Sequence, residues 1–469
     1  MQVSAVVTTG IYCRPGCSAR PARRNVLQFP LPAAAEAAGY RACLRCRPYR
    51  LPQVTSGITS EQVCRAVRLV LAGILDEGTE ETLAARLGVS ARHLRRLFMT
   101  HLGVTPDGLA RSARAHFARR LLDETDLTIT EIAFAAGFGS LRQFNRVCRE
   151  VFKAPPSDLR RRRRRSDRLV ADGGLALRLA FHGPLDWPEM LAALAETAIP
   201  GVESVSGDAY RRTIVLGGDP GVLELLAGGK DHLILRAHLP HWEELLHVVR
   251  RARRIAGLDV AMEEPVLALR RDPVIGPLVR ARPGVRAPGC WDPFEAGVRA
   301  IVRQSMPEPA TNATMRRLVA RHGTPVAGLR PFGLTHTFPG PDVLATADLA
   351  GIGMPAATAT AIRVLAASTV NGTVRFDPGS TLDDLVHRLG ALPGISPRTA
   401  HYVALRLGEM DAFPLSGRQL ARRLAGLGPP PDAPLTAVVA RWRPWRALAA
   451  THLWAATTTH PSVMQKGVA

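Results

Sequence analysis

Thr8-Thr9-Gly10-Ile11-Tyr12-Cys13-Arg14-Pro15-Gly16-Cys17 and Gly39-Tyr40-Arg41-Ala42-Cys43-Leu44-Arg45-Cys46-Arg47-Pro48 decide how the chain begins, with 25 residues between Cys17 and Cys43. A Cys-x3-Cys paired with a Cys-x2-Cys brings four soft thiolates within tetrahedral reach of one ion, and Zn²⁺ is the ion such a set selects. So short a segment has too little apolar surface to fold unaided, and metal binding supplies the missing free energy. The spacing therefore predicts a zinc domain over residues 1–50, held by Cys13, Cys17, Cys43 and Cys46.

The rest of the chain agrees with reduced, metal-bound thiols. There are 7 cysteines, an odd number, and Cys64, Cys148 and Cys290 stand alone in apolar or helical surroundings, where a thiol packs as a small apolar group. With no export signal ahead of them, a disulfide framework is not expected. Lys and Arg number 61 against 40 Asp and Glu, a formal charge of +21, so a polyanion is the natural partner, although an Arg-rich genome also raises the count. At 469 residues and 46% apolar composition the chain should hold about three globular domains. No apolar run reaches a membrane-spanning length, which predicts a cytoplasmic protein with no membrane partner.

Four thiolates on Zn²⁺ carry a net charge of minus two, which keeps at least one sulfur nucleophilic at neutral pH. Arg14, Arg20, Arg23, Arg24, Arg41, Arg45 and Arg47 are expected to surround it with phosphate-binding charge. Such a site suits attack on an alkyl group of the DNA backbone, and a closed structural zinc site shows the same spacing. Ile-Tyr-Cys-Arg-Pro-x-Cys followed by Gly-Tyr-Arg-x-Cys-x-Arg-Cys resembles the zinc domain of the Ada adaptive-response proteins. The resemblance implies that Cys13 takes a methyl group irreversibly from a methylphosphotriester. Family members usually carry more residues ahead of the motif, so a misassigned start or the loss of the domain's first elements is expected here. No Pro-Cys-His-Arg motif occurs, so repair of O6-methylguanine is not expected.

Residues 58–160 carry apolar positions at helical spacing and two repeated units. In the first, Glu81 to Phe98, a turn at Gly88 separates two helices and Ser90 caps the second. In the second, Thr128 to Arg146, Gly137 makes the turn and Ser140 the cap. Leu83, Leu87, Val89, Leu94 and Leu97, with Ile132, Ala136, Phe138, Phe144 and Val147, should form two small cores. Arg92, His93, Arg95 and Arg96, and Arg142, Gln143, Asn145 and Arg146, then fall on outer faces suited to successive major grooves; a plain bundle with a solvated face would read alike. Ala-Phe-Ala-Ala-Gly-Phe-Gly-Ser-Leu-Arg-Gln-Phe-Asn, followed by Phe152-Lys153-Ala154-Pro155-Pro156, is similar to the AraC-type regulator domain. The run Arg160 to Arg165 reads as a solvated linker that cannot pack, with or without added phosphate contacts.

Beyond it, Leu175 to Phe181, Tyr210 to Leu216 and Leu233 to Leu239 read as strands, and Trp187 to Glu196 and Trp242 to Ala256 as helices, an α+β domain over 174–285. Helices return over 286–460. There Leu392-Pro393-Gly394-Ile395-Ser396-Pro397-Arg398-Thr399 has the shape of a helix-hairpin-helix whose backbone N–H groups hold a phosphate, although a structural helix corner looks the same. Pro288 to Glu295, Gly333 to Pro339, Asp411 to Pro414 and Arg441 to Arg446 occur in the order found in AlkA-like 3-methyladenine DNA glycosylases, which the chain resembles from about residue 175 to 458.

That resemblance implies base flipping into an aromatic pocket, with Tyr402 and Trp454 as pocket aromatics, DNA contacts at Gly394, Ile395 and Thr399, and an aspartate facing the sugar. Without it, Tyr402 and Trp454 read as core residues. The aspartate's position is Gly417, the pocket tryptophan's is Arg398, the wedge position after Gln304 is Ser305, and Pro307 and Pro309 interrupt the helix expected there.

The fold expected is thus multidomain and mostly α: an Ada-type zinc domain, an AraC-type double helix-turn-helix, an AlkA N-terminal-like α+β domain and a helix-hairpin-helix glycosylase fold. The function implied is a response to DNA alkylation damage that joins a methyl-accepting sensor, a sequence-specific regulator and a glycosylase domain. Its partners are double-stranded DNA, alkylated or promoter, and RNA polymerase. The alternative is an active DNA-3-methyladenine glycosylase in which Asp411 or another carboxylate covers for Gly417; a third reading has no activity.

Overall fold

The computed structural model describes residues 2–19, 21–50, 60–169, 173–376, 380–425, 427 and 434–456; Arg20 and the expected boundaries at 58 and 460 lie outside the described residues. The first module is β1 (Val3–Val6), β2 (Ile11–Cys13), β3 (Val26–Phe29), α1 (Pro32–Ala37) and β4 (Arg41–Ala42), in one sheet of order β3-β1-β2-β4. Val3 and Ala5 of the central strand are fully buried, so the sheet holds together from residue 3 onward.

Eight helices follow: α2 (Glu61–Ala72), α3 (Ile74–Glu77), α4 (Glu80–Arg86), α5 (Ala91–Leu102), α6 (Pro106–Glu124), α7 (Ile129–Ala135), α8 (Leu141–Phe152) and α9 (Pro156–Arg161). The expected turns and caps are present. Gly88 and Gly137 have φ of 69° and 78°, and Ser90 and Ser140 accept from the N–H groups of His93 and Gln143. Leu83, Leu94, Ile132, Ala136, Phe144 and Val147 are fully buried.

The helix α6 joins the modules. On one side its Asp123, fully buried, meets Tyr49 and the guanidiniums of Arg50 and Arg119, while Arg47, the residue after Cys46, pairs with Asp167. On the other, Glu124 accepts from the Arg178 N–H at 2.8 Å and Arg120 donates to the Arg178 carbonyl, covering an edge strand whose open hydrogen bonds would otherwise invite another chain. Buried charges of this kind are tolerated only where they are paired.

That edge strand is β5 (Leu175–Ala180), in an antiparallel sheet of order β5-β9-β8-β7-β6 with β6 (Glu203–Ser206), β7 (Ala209–Leu216), β8 (Asp219–Ala227) and β9 (His232–His238). Packed on it are α10 (Trp187–Thr197) and α11 (Leu245–Ile255). Then come α12 (Glu263–Leu269), α13 (Gly276–Ala281), α14 (Pro293–Ser305), α15 (Glu308–His322), α16 (Pro341–Thr346), α17 (Ala356–Val370), α18 (Leu382–Gly390), α19 (Pro397–Arg406), α20 (Gly417–Ala425), α21 (Leu435–Ala440) and α22 (Arg446–Ala455). Among the described residues no helix is long and apolar enough to cross a membrane.

One expectation is corrected. The Arg160–Arg165 run is not simply a solvated linker: Arg160 donates to the Leu127 carbonyl at 2.7 Å and Arg163 to Thr125 and Asp126 at 3.0 Å, because the loop after α6 offers unpaired carbonyls there. The expected interruption at Pro307 and Pro309 is present: α14 ends at Ser305 and α15 begins at Glu308. Pro307 precedes the first residue of α15 and Pro309 lies in its first turn, where a missing N–H costs nothing.

Candidate functional site

The two cysteine pairs meet because β2 and β4 lie parallel, Ile11 opposite Arg41 and Tyr12 opposite Ala42. The Cys43 N–H donates to the Tyr12 carbonyl at 3.0 Å, which sets Cys13 and Cys43 side by side where both strands end. Each pair then closes in a tight turn, with Gly16 at φ 74° ahead of Cys17 and Arg47 at φ 46° behind Cys46. The sulfurs of all four cysteines lie within 4.8 Å of one another. A tetrahedral zinc site with Zn–S bonds of about 2.3 Å spaces its sulfurs about 3.8 Å apart, so the quartet fits the ion with small adjustments.

The donor chemistry agrees. Burial and the neighbouring Cys43 and Cys46 push the Cys13 thiol far above its ordinary range, and burial takes Cys46 up to about 12. Burial opposes ionisation of Cys43 too, but the backbone N–H groups of Cys46 and Arg45 outweigh it and hold that thiol below its usual value. Four thiolates this close need a central cation. Among the described residues this is the one group of three or more His, Cys, Asp or Glu placed to hold an ion.

Cys13 and Cys43 are buried and Cys17 and Cys46 half-buried; Arg14 and Arg45 beside them are exposed and Arg41 half-buried, while the exposed Arg23 and Arg24 lie at the other end of the sheet, past the Val6–Val26 pairing. Arg47 does not belong to that set, because its guanidinium is turned inward onto Asp167. The quartet was legible from spacing, whereas the inward arginine was not.

In the paired units, Arg92, Arg95, Arg96, Arg142 and Arg146 are exposed, and His93, Gln143 and Asn145 are half-exposed. Several are engaged within the chain. Arg95 donates twice to Glu80, at 3.0 and 2.7 Å, Arg96 meets His93 at 3.0 Å, and Arg146 lies 3.8 Å from Glu150. Gln143 Oε1 accepts from the Gly139 N–H, and Asn145 donates to the Leu141 carbonyl.

The hairpin forms between α18 and α19. Gly394 sits at φ 83°, and a Cβ there would lie 2.7 Å from Ala361, so glycine is required twice over. Gly394 and Arg398 are exposed, while Ile395 and Thr399 are buried and their N–H groups donate to the Leu392 carbonyl and the Ser396 hydroxyl, both at 3.2 Å. Tyr402 is half-buried under the guanidinium of Arg303, 5.6 Å above its ring, and Trp454 is half-buried on α22.

Gly417 begins α20, is exposed, and leaves open space where a Cβ would stand. The nearby carboxylate Asp411 is held by Arg446 through both oxygens, at 2.7 and 2.8 Å. The hydroxyl of Ser305 is turned back onto Val302 and Thr358. Sequence reasoning missed the Gln304 side chain, which bonds three hairpin residues.

Comparison with known proteins follows the same divisions. Residues 2–49 match the metal binding domain of Ada, 83–162 a helix-turn-helix domain, and 176–292 the AlkA N-terminal domain. A Mycobacterium tuberculosis protein described as a "probable bifunctional transcriptional activator/DNA repair enzyme AlkA" is 40% identical over 466 residues, 98% of this chain and 93% of its own. The DNA-3-methyladenine glycosylase 2 of Escherichia coli is 31% identical over 280 residues, 59% of this chain and 95% of its own. A 3-methyladenine DNA-glycosylase from Archaeoglobus fulgidus shares the fold of the C-terminal part, with a TM-score of 0.50 at 19% identity, covering 59% of this chain and 96% of that one.

Proposed function

The chain belongs to the family of bifunctional transcriptional activator/DNA repair proteins that join an Ada-type zinc domain, an AraC-type helix-turn-helix and an AlkA-like glycosylase domain, and from that premise we propose that it senses alkylation and regulates transcription while its glycosylase-like half holds DNA without excising bases. The observation that carries this reading is the contrast at position 417. A glycine there offers no charge to a developing oxocarbenium ion, and the carboxylate of Asp411 is already bound by Arg446. The proposed modules span 1–50, 58–160, 174–285 and 286–460, and the protein acts in the cytoplasm.

In the sensing step the Cys13 sulfur attacks the methyl carbon of a methylphosphotriester. The S–C bond forms as the O–C bond breaks, and the phosphate leaves as an ordinary anionic diester. Cys13, Cys17, Cys43 and Cys46 would hold Zn²⁺, which would keep their thiols deprotonated. The exposed Arg14 and Arg45 hold the flanking phosphates, and conversion of a thiolate to a thioether takes the site from minus two toward minus one, easing repulsion from DNA. Arg92, Arg95, Arg96, Arg142, Gln143, Asn145 and Arg146 then read promoter DNA, and activation engages RNA polymerase. Cys13→Ala should abolish the rise in promoter affinity that follows methylating treatment; a rise equal to wild type would defeat the sensor reading.

For the C-terminal half, purified wild-type protein should release no 3-methyladenine from alkylated DNA above background. Gly417→Asp has room for its carboxylate at a helix N-terminus and should gain rate by on the order of 10²–10³. Release by wild type at the rate of Gly417→Asp would establish the active-enzyme alternative instead.

A further inference from the structure

Gln304, next to last in α14, spans the hairpin turn. Its Nε2 donates to the Gly394 carbonyl at 2.6 Å, and its Oε1 accepts from the Thr399 hydroxyl at 2.7 Å and from the Ser396 N–H at 3.2 Å. A primary amide is suited to this, because it alone among uncharged side chains offers donors and a carbonyl acceptor in one plane. The turn needs such a brace. Gly394 is in the left-handed region, where glycine gains its freedom from having no side chain to fix it, and Pro393 and Pro397 contribute no N–H to internal bonding.

Next to it, Ser305 donates to the Val302 carbonyl at 3.0 Å and shares a 2.8 Å hydrogen bond with Thr358, so this end of α14 is tied to its own protein on both residues. Given the reading that this half holds DNA, we infer that Gln304 is a positioning residue for phosphate binding. It fixes the turn Leu392–Ser396 so that the Arg398 N–H in the first turn of α19 faces one DNA phosphate, the neighbouring Ser396 and Thr399 N–H groups being taken by Gln304 and the Ser396 hydroxyl, and it does not itself enter the duplex.

The test uses the full chain and a short duplex containing one tetrahydrofuran abasic analogue, in competition with the same duplex unmodified. Gln304→Leu keeps the bulk and removes all three hydrogen bonds. It should bind the tetrahydrofuran duplex about tenfold more weakly, with a log-affinity against log-salt slope shallower by about 0.9, the signature of one lost phosphate contact. Amide exchange should quicken across residues 392–399 and stay unchanged in α17. A structural role alone would lower the melting temperature without moving the salt slope.

Thr399→Val, which deletes one of the three bonds while keeping the shape, should shift affinity in the same direction by a few fold and carries the test if Gln304→Leu does not fold. Unchanged or tighter binding by both variants, with wild type preferring the tetrahydrofuran duplex, overturns the inference and leaves the DNA-holding reading standing. Equal binding of both duplexes by wild type, with no change in slope in either variant, overturns both.

Discussion

The N-terminal and C-terminal halves have kept different things. In the first, fold and chemistry travel together: the strand pairing that builds the sheet is what brings Cys13 to Cys43, so the sulfur quartet cannot be lost without loss of the fold. In the second, the fold is carried by buried apolar residues such as Val298, Ile301, Leu365 and Val403, and nothing in that packing depends on position 417, which is exposed with open space beside it. On the proposed reading of position 417, a glycosylase fold would therefore persist without the charged group. A zinc module cannot persist after its ligands are gone.

The sharpest way to break that contrast is to remove a ligand. Cys43→Ser should cost the zinc module most of its metal-binding free energy, on the order of 10 kcal/mol, and leave residues 2–50 unfolded. Zinc content below one equivalent, with fast amide exchange confined to that segment, is the expected result; full zinc occupancy would dissolve the distinction between the halves. Next in size is Asp123→Ala. It leaves the buried Arg119 guanidinium without its carboxylate and the Tyr49 hydroxyl without its acceptor, while Arg50 keeps Asp167 at 3.0 Å, so about 3–5 kcal/mol of stability should be lost, seen as a lower melting temperature and a loosened docking of the zinc module on α6.

The junction of the zinc module and the contact between the sheet and α14 differ in charge balance, which gives a test by pH. At the first, burial works against ionisation of Asp167, but Arg47, the Arg164 N–H and Arg50 hold it below the usual carboxylate range. Between the five-stranded sheet and α14, Glu203 of β6 and Glu295 of α14 share Arg212 of β7, and burial outweighs that arginine and takes Glu295 up to about 7. A carboxylate with a raised folded value binds its proton more tightly folded than unfolded. Its contribution is fully present below about pH 4.3, falls as pH rises through the folded value near 7, and is flat above. Unfolding free energy measured from pH 5 to 8 should thus fall more in wild type than in Glu295→Gln, by on the order of 1–3 kcal/mol.

What could be read from residues alone follows from range along the chain. The sulfur quartet, the caps Ser90 and Ser140 and the glycine turns are set by neighbours a few residues apart, and periodicity places Leu83 or Phe144 in a core before any partner is known. The inward turn of Arg47, the covering of the β5 edge by Glu124 and the brace from Gln304 to residues about 90 positions away, 394 and 396, depend on which surfaces meet. An arginine beside a zinc ligand reads as phosphate-binding until Asp167, 120 residues on, is seen to hold it.

The smallest effect separates the two reading helices, which sequence treats as equivalent. In α5, Arg95 is bound twice by Glu80, so its guanidinium must leave one anion before it can meet another, and the exchange returns little. In α8, Arg142 is exposed in the first turn, where a recognition helix meets base edges. Arg142→Ala should then cost about 1–3 kcal/mol of promoter binding and relax preference at one base pair, whereas Arg95→Ala should cost under about 1 kcal/mol and act evenly on all sequences. Glu80→Ala provides the control: freeing Arg95 should raise its contribution toward that of Arg142, and if it does not, the difference between the helices lies in their distance from DNA and not in the ion pair.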